Sequence, residues 1–470
     1  MALAFGNWAP DRDGATKVIE GAVPQSASVG VGYGPFPQLV AASGAAALPA
    51  EPRGIISLDR ADGTWSVFAA TSATIQMLAS DYSWTQIESG RTVTVGDDVS
   101  FARFGKYLIN TDTTSGMKAY DVDAGGTNTA ISGAPAARFV FQCNNVLFGL
   151  GTSSSPRRFA NSDIGSHTRW SGGAADGKTL EDGGRLVGGA DLKNGVAVFF
   201  QENALRGIQF GAGASTYSVV KIADGRGSVG AKTIAAFDGR GFWWDTDGPW
   251  MLTPGAAPVP IGAEKINRWA EESIGRQNYG NLQATVDPVR NLVIWRIDGS
   301  RLLAFNWLIG EFSILPASTV ALARLATPAA TINSLSGTID ALEGTIDGLG
   351  GGSSAPQLGA LNSSRKFSLF NGPNMAATLE TGRQINPVTG LVGWATPMDD
   401  CSAGTLQVGV ADTASDALTW KTGNSKVRAG RVPLRARGMN LAFRRNIPAG
   451  SDWTYANGVD GIQAAAGGPK

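Results

Sequence analysis

Histidine and cysteine are almost absent from this sequence, which contains one histidine and two cysteines among 470 residues. This count excludes metal sites that are built from several histidine or cysteine ligands. A Ser-His-Asp or Cys-His catalytic site would have to use His167, but its polar surroundings at residues 165–170 predict a loop residue. Cys143 and Cys401 have no second cysteine nearby, so we expect two buried free thiols in a protein made in a reducing cytoplasm.

Charge is also scarce. Charged residues make up 17% of the chain, and its 39 basic and 39 acidic residues cancel. A neutral chain has no overall attraction for nucleic acid or for a membrane surface. No apolar run approaches the ~18 residues that a membrane-spanning helix needs, and the N-terminus lacks the basic and apolar regions of a signal peptide. We therefore expect no membrane segment and no secretion signal.

Three short motifs match ligand-binding or catalytic patterns, and each lacks a required part. Gly225-Arg-Gly-Ser-Val-Gly230, with Asp245 downstream, matches a dinucleotide-binding loop, but the next residues predict a strand instead of the required helix. The phrase that begins at Asp245 resembles a calcium loop, but Ala256 stands at its twelfth position, where a carboxylate is needed. Residues 57–65 resemble a distorted Asp-box of sialidase-like propellers, with no convergent carboxylate pair. The sequence predicts no enzymatic activity, no cofactor and no metal.

Glycine and repeated strands dominate what the chain does contain. Glycine accounts for 63 residues, which suits many tight turns. Short apolar strands separated by turns recur, and the first strands begin at residues 65, 106, 146, 196, 241 and 291. A strand-only period of roughly 40–50 residues is typical of a β-propeller blade. We predict an all-β protein with a six- or seven-bladed β-propeller over residues 55–382; an irregular multi-sheet β protein is the alternative.

Two segments interrupt the strand pattern. Residues 262–275 place Ile266, Trp269, Ala270 and Ile274 on one face and predict a short helix. Residues 327–352 contain a heptad-like insert, in which isoleucine and leucine recur at steps of three and four. Because glycines recur on its opposite side and disfavour a helix, we predict an amphipathic packing insert and not a continuous helix.

The two ends of the chain differ from the repeats. Residues 1–54 are rich in glycine and proline and predict an arm or part of a platform. We expect Trp8, Tyr33 and Phe36 to anchor this arm, either on its own domain or at the interface with a neighbouring subunit. Residues 383–470 contain short alternating strands, which predict a C-terminal β-sandwich or platform domain.

A local basic run lies inside the C-terminal segment. No acidic residue occurs between positions 417 and 451. Such a run is either a solvated strand face or a contact surface for an acidic partner subunit or for DNA phosphate. Its eight cations are Lys421, Lys426, Arg428, Arg431, Arg435, Arg437, Arg444 and Arg445.

The order of these segments resembles the tail hub or nozzle proteins of short-tailed bacteriophages, also called packaged-DNA stabilisation proteins. The resemblance is carried by a Trp-Ala-Pro-Asp opening at Trp8, the strand meander of residues 186–252 and the helix of residues 261–275. Leu302-Leu-Ala-Phe-Asn-Trp307, Gly430-Arg-Val-Pro-Leu-Arg435 and Asn446-Ile-Pro-Ala-Gly450 complete it. It covers most of the chain as a layout and includes no catalytic motif.

This resemblance implies a structural virion protein. In that family, usually six copies form a ring below the portal and adaptor, with a β-propeller and a platform in each copy and packaged DNA in the lumen. The implied partners are further copies of the chain, head-to-tail adaptor proteins, tail fibre or spike proteins and double-stranded DNA, after assembly in the host cytoplasm. The alternative from another class is a carbohydrate-binding or sialidase-like β-propeller of a phage tail or bacterial surface.

Overall fold

Short antiparallel strands account for most of the regular structure of this chain. The computed structural model describes residues 2–12, 15–26, 31–94, 96–193, 195–210, 217–328, 355–414, 416–423 and 430–466. The heptad-like insert, from residue 329 onward, and Lys426 and Arg428 of the basic run therefore lie outside the described residues.

The N-terminal segment contributes strands to two different sheets. Its strands are β1 (Leu3–Ala4), β2 (Ile19–Glu20), β3 (Ala22–Ser26), β4 (Val31–Pro35) and β5 (Pro37–Ala41).

Five consecutive meanders of four antiparallel strands follow, in each of which strands that are neighbours along the chain pair through hydrogen bonds. The first two contain β6 (Gly54–Asp59), β7 (Trp65–Ala70), β8 (Ile75–Leu78), β9 (Trp84–Glu88), β10 (Ser100–Phe104), β11 (Tyr107–Thr111), β12 (Lys118–Asp121) and β13 (Thr129–Ala130). The next two contain β14 (Ala137–Cys143), β15 (Val146–Thr152), β16 (Ser155–Asn161), β17 (Asp176–Thr179), β18 (Leu186–Asp191), β19 (Val196–Gln201), β20 (Ala204–Phe210) and β21 (Tyr217–Asp224). The fifth contains β22 (Ala235–Phe237), β23 (Arg240–Asp245), β24 (Gly248–Leu252) and β25 (Val259–Pro260).

Seven further strands complete a closed ring. A sixth meander contains β26 (Gln283–Asp287), β27 (Leu292–Arg296), β28 (Arg301–Asn306) and β29 (Glu311–Pro316). Then β30 (Thr319–Leu325), β31 (Gln357–Asn362) and β32 (Phe367–Asn374) pair in one sheet with the N-terminal β5. The first strand of each meander lies beside the first strand of the next, and β30 lies beside β6.

The predicted β-propeller of six or seven blades is therefore confirmed. Six four-stranded sheets stand as separate blades, and β26–β29 supply a blade-like unit that continues into a larger sheet. The N-terminal segment does not lie wholly outside the propeller as predicted, because β5 is the outer strand of the closing blade.

Local turn chemistry explains why these runs fold into hairpins. Asp238 and Gly239 connect β22 to β23, and both adopt positive φ angles, of 48° and 78°. A two-residue turn with this geometry matches the right-handed twist of the flanking strands, and Asp-Gly is among its preferred sequences. This hairpin is the one that the Asp-Gly pair predicts.

The helical content is small and includes the predicted helix. Helix α1 spans Asn267–Ser273, and 3₁₀ turns span Ala231–Thr233 and Arg276–Asn281. Ile266, Ala270 and Ile274 are buried and Trp269 is partly buried, which confirms the predicted apolar face. The carboxylate of Asp11 accepts hydrogen bonds from the backbone N–H groups of Arg268 and Trp269, at 2.7 and 2.8 Å. A residue from the N-terminal segment thus satisfies the free donors at the start of α1.

The C-terminal strands belong to a large sheet that is continuous with the propeller. They are β33 (Ala377–Glu380), β34 (Gln384–Asp399), β35 (Thr405–Ala411), β36 (Thr419–Thr422), β37 (Val432–Ile447) and β38 (Ala456–Ala466). The main path of this 14-stranded sheet runs from β26–β29 through β2, β33, β37, β34, β38 and β4 to β3. Strand β1 pairs with β38, and β35 and β36 extend from β37. Because β2 joins β29 to β33, residues 383–470 do not form the predicted separate sandwich.

One apolar core serves both the ring and the large sheet. Trp244 and Trp295, which come from blade strands, lie in the same buried cluster as Trp453 and Val459 from the C-terminal segment. The indole rings of Trp244 and Trp295 meet edge to face, with centroids 6.1 Å apart. Burial of aromatic side chains contributes strongly to stability, so this cluster ties the two regions together.

Candidate functional site

The three aromatic residues predicted as anchors are buried inside this chain. Trp8 donates its indole N–H to the carbonyl oxygen of Lys17 at 2.9 Å and meets the ring of Trp269 edge to face. Tyr33 is fully buried and donates its hydroxyl to the carbonyl of Gly6 at 2.7 Å. The sequence analysis allowed these residues to pack on their own domain or on a neighbouring subunit, and the structure places them on their own domain.

Phe36 is buried in a second apolar cluster. Its ring lies 5.5 Å from that of Phe370 in β32, and the Arg290 guanidinium lies 5.2 Å from it. The alternative that Trp8, Tyr33 and Phe36 anchor a neighbouring subunit is therefore wrong. Each side chain has at most 2% of its surface exposed and presents almost no area to another molecule.

The predicted basic run divides into structural and exposed residues. Arg445 has no exposed side-chain surface; it forms an ion pair with Asp399 at 2.8 Å and donates to the carbonyl of Cys401 at 2.9 Å. Arg444 pairs with Glu380 at 2.9 Å, and its guanidinium lies 3.9 Å from the centre of the Trp420 ring. Arg445 is therefore not available to a partner, and the charge of Arg444 is already neutralised within the chain.

The exposed part of the run lies along β37. Arg431, Arg435 and Arg437 are exposed, whereas the intervening Val432, Leu434 and Ala436 are buried. This alternation places the three arginines on the outer side of the large sheet. We call them, with Trp394, the basic face.

Two tryptophans that the sequence analysis missed pack against arginines of the basic run, and one of them, Trp394, belongs to the basic face. The Arg431 guanidinium lies 4.2 Å from the centre of the Trp394 ring, and Trp420 lies under Arg444. These contacts join β37 to β34 and β36, so no local sequence signal reveals them. Lys421 is exposed in β36, which among the described strands pairs with β35.

The backbone of β37 is irregular at Arg435. Arg435 has a φ of 50°, and the pairing between β34 and β37 shifts register next to it. Two residues of one strand opposite one residue of its partner form a bulge, which redirects a side chain. A positive φ is strained for arginine, and strain of this kind clusters at binding sites.

His167 and the glycine-rich motif of residues 225–230 have structural contacts. His167 is half-buried, and its ring centroid lies 4.0 Å from that of Tyr107; burial lowers its pKa. Gly227, inside the glycine-rich motif, donates its N–H to Asp245 at 3.2 Å, and a 3₁₀ turn follows instead of a helix. Burial raises the pKa of Asp245, and Asp247 pairs with Arg226 at 2.8 Å.

Other reactive groups are also enclosed. Cys143 and Cys401 are buried thiols that are not joined in a disulfide, and burial, followed by the carboxylate of Asp191, raises the pKa of Cys143 to about 12. In the part of the chain that the structure describes, no group of three or more His, Cys, Asp or Glu side chains is placed to hold a metal ion. No helix within the described ranges is long and apolar enough to span a bilayer.

A cavity of about 880 Å³ lies at the centre of the propeller. The first strands of the blades supply most of its wall, including Ile56 of β6, Phe101 of β10, Phe139 of β14 and Val320 of β30. A smaller cavity of about 130 Å³ shares Arg138 and several further residues with it. The centre of the ring therefore offers an open cavity of ligand size.

Comparison with known proteins gives distant structural likenesses and no family match. No family model and no curated protein matches this sequence. Among solved structures, the RRP9 WD40 repeats share 10% identity at a TM-score of 0.43, over 61% of this chain and 88% of that chain. The β-propeller domain of Cps50 (Swd1) from Myceliophteria thermophila shares 9% at 0.40, over 59% and 90%. Streptogramin B lyase shares 10% at 0.44, over 70% and 96%. The likeness is one of fold alone.

Proposed function

We propose that this protein is a structural component of a phage tail: a ring-forming hub or nozzle below the portal and adaptor, which seals in packaged DNA and provides its exit channel. The observation that carries the proposal is the basic face, because a chain with no net charge presents three arginines on one outer strand face. The segment order that resembles tail hub proteins supports the same function.

The basic face supplies the contact chemistry that this function needs. Arginine guanidinium groups form paired hydrogen bonds with carboxylate and phosphate oxygens. In the proposed assembly, the face contacts the negative charge of an acidic adaptor, of a neighbouring copy or of the DNA backbone. Further copies of the chain, usually six, and tail fibre or spike proteins complete the particle, which is assembled in the host cytoplasm.

The test reverses charge on the basic face. An Arg435→Glu/Arg437→Glu variant is compared with a control, Lys178→Glu/Lys366→Glu, which changes net charge equally at exposed blade positions. Sedimentation and electron microscopy report ring formation, and fluorescence anisotropy reports binding to duplex DNA between about 50 and 200 mM salt. Wild type and the control are expected to form rings.

The outcomes separate the partners. If the variant loses rings but still binds DNA, the face contacts protein; if it keeps rings but loses salt-dependent DNA binding, the face contacts DNA. A variant that matches wild type in both assays shows an ordinary solvated face and removes the support for the proposal. A wild-type protein that stays monomeric and binds a glycan overturns the proposal in favour of the carbohydrate-binding alternative.

A further inference from the structure

The central cavity holds more positive than negative charge. Seven ionisable side chains line it, five cationic and two acidic: Glu51, Arg53, Asp98, Arg138, Lys232, Arg296 and Arg324. Two of the cations have carboxylate partners nearby, since Lys232 pairs with Asp98 at 2.7 Å and Arg138 pairs with Asp97. The remaining three are arginines.

Arg296 is half-buried and forms no ion pair with a described residue. Its Nε is buried and forms no hydrogen bond with a described residue. Glu51 and Asp298 act on it electrostatically, but Glu51 pairs with Arg365 at 3.4 Å and Asp298 pairs with Arg301 at 2.9 Å. A half-buried charge without a partner is costly, so its retention points to a ligand that neutralises it.

Arg324 has a similar environment. Its guanidinium donates to the neutral carbonyl of Pro356 at 2.9 and 3.3 Å, and burial lowers its pKa. The carboxylate that acts on it, Asp287, pairs instead with Arg290 at 2.9 Å. Arg53, immediately before β6, is half-buried, and its side chain forms no ion pair with a described residue. Three guanidinium groups in one cavity therefore retain donors that no carboxylate of the described chain occupies.

We propose that the central cavity binds a small organic anion that carries phosphate or carboxylate oxygens, held by Arg53, Arg296 and Arg324. Arginine presents planar donor pairs that fit both oxyanions. The half-buried rings of Phe101 and Phe139 and the side chain of Ile56 offer apolar contact to the body of the ligand. A cavity of about 880 Å³ suits one molecule of metabolite size.

This site is independent of the proposed tail function. The basic face lies on the outer side of the large sheet, whereas the anion site lies in the central cavity of the propeller. If copies of the chain fail to assemble into a ring, the anion site is unaffected. If the anion site fails to bind, assembly of the copies is unaffected.

Calorimetric titration at low salt tests the site with three probes: pyrophosphate, citrate and a hexaglutamate peptide. The full chain is compared with Arg53→Gln, Arg296→Gln and an Arg157→Gln control, whose residue is exposed on β16 outside the cavity. Wild type and the control are expected to bind pyrophosphate or citrate. Each cavity variant is expected to lose about tenfold or more in affinity, as for removal of one charge-assisted hydrogen bond.

Thermal unfolding provides the second measurement. A ligand that binds only the folded chain raises the melting temperature, so pyrophosphate or citrate should raise it for wild type and the control but not for Arg296→Gln. In the absence of ligand, Arg296→Gln should melt at the same or a higher temperature, because it removes an uncompensated half-buried charge.

Several results would contradict the proposed anion site, and misfolding of a variant can be told apart from them. Arg53→Gln guards against misfolding as an explanation, since that side chain has no described bonding partner to lose. The proposal is wrong if wild type binds neither small anion, or if both cavity variants bind as tightly as the control. Binding of the peptide alone would also overturn it, because the cavity would then receive an acidic polypeptide.

Discussion

At the scale of single residues, a buried ion pair fixes the geometry of the large sheet. Arg445 and Asp399 are both fully enclosed and join β37 to the end of β34, with a further bond from Arg445 to the carbonyl of Cys401. The fit leaves no spare space: a Cβ at Gly404 would lie 2.4 Å from the guanidinium carbon of Arg445. Such a pair need not stabilise more than apolar residues, but the loss of one partner leaves an uncompensated charge.

We therefore expect Asp399→Ala to destabilise the protein strongly. The enclosed guanidinium of Arg445 would lose its counter-ion, at a cost of about 3–5 kcal/mol in the free energy of unfolding. Glu271→Ala, which removes the exposed partner of Arg276, serves as the control and should shift the denaturation midpoint little. Unfolding in guanidinium chloride, monitored by tryptophan fluorescence, measures both variants. Equal shifts of the two denaturation midpoints would contradict the role of the buried ion pair.

His167 makes stability depend on pH in a defined direction. Burial lowers its pKa in the folded chain, so the folded state prefers the neutral ring. Its stabilising contribution is complete above the unfolded pKa of about 6.5 and is lost as pH falls through the lower folded value.

We expect acidification from about pH 7.5 to 5 to stabilise His167→Phe relative to wild type, since phenylalanine keeps a ring against Tyr107 without a charge. Asp245 and Glu311, whose pKa values burial raises, contribute the opposite slope in both proteins and cancel in the difference. Thermal melts across this range measure the difference, which a structural role without titration would leave constant.

At the scale of elements, the ring is closed by strands from opposite ends of the propeller. β5, near the N-terminus, pairs with β32, and Leu39 and Val40 lie opposite Phe370 and Leu369. β5 thus completes the fourth strand of this blade and supplies the hydrogen-bonding partner on the outer side of β32. The predicted boundary at residue 54 thus divides a blade.

A chain that begins at residue 54 is therefore expected to fold poorly. It lacks the fourth strand of the closing blade and β2, the strand that joins β29 to β33. We expect it to aggregate or to melt far below the full chain, whereas removal of residue 1 alone should have little effect. Size-exclusion chromatography and thermal melting provide the measurement; a monodisperse fragment of full stability would refute the role of β5.

At the scale of the whole molecule, the last blades of the ring and the large sheet share one buried apolar cluster and one hydrogen-bonded sheet. Trp244 and Trp295 from the blades pack in the same cluster as Trp453 and Val459, and β29 leads through β2 into β33. Separate domains have cores of their own. Residues 55–382 and 383–470, which were predicted as separate domains, instead share an apolar cluster.

We expect calorimetry to show one cooperative unfolding transition for the ring and the large sheet. Substitution of Trp453 by alanine, which opens the shared core, should lower the temperature of the whole transition instead of splitting it. Val220→Ala, at an exposed blade position, serves as the control. Two transitions, with only the smaller one sensitive to Trp453, would show independent domains.

The sequence by itself determined the class of fold. Asp-Gly turns and short apolar strands depend on residues only a few positions apart, and their recurrence every 40–50 residues predicts a propeller without tertiary information. The spacing of apolar residues likewise predicts the buried face of α1. Composition likewise limited the chemistry, since a single histidine excludes sites that need several.

Only the tertiary structure decided which distant residues meet. Ile19 pairs with Leu379, Arg445 meets Asp399, and Trp394 lies under Arg431. The basic run reads as eight equivalent cations because sequence spacing does not state which side of a strand is covered. The arginines of the central cavity are spread over about 270 positions, from Arg53 to Arg324, with no shared motif. Closure of the ring brings them together, and that closure depends on packing across the whole chain.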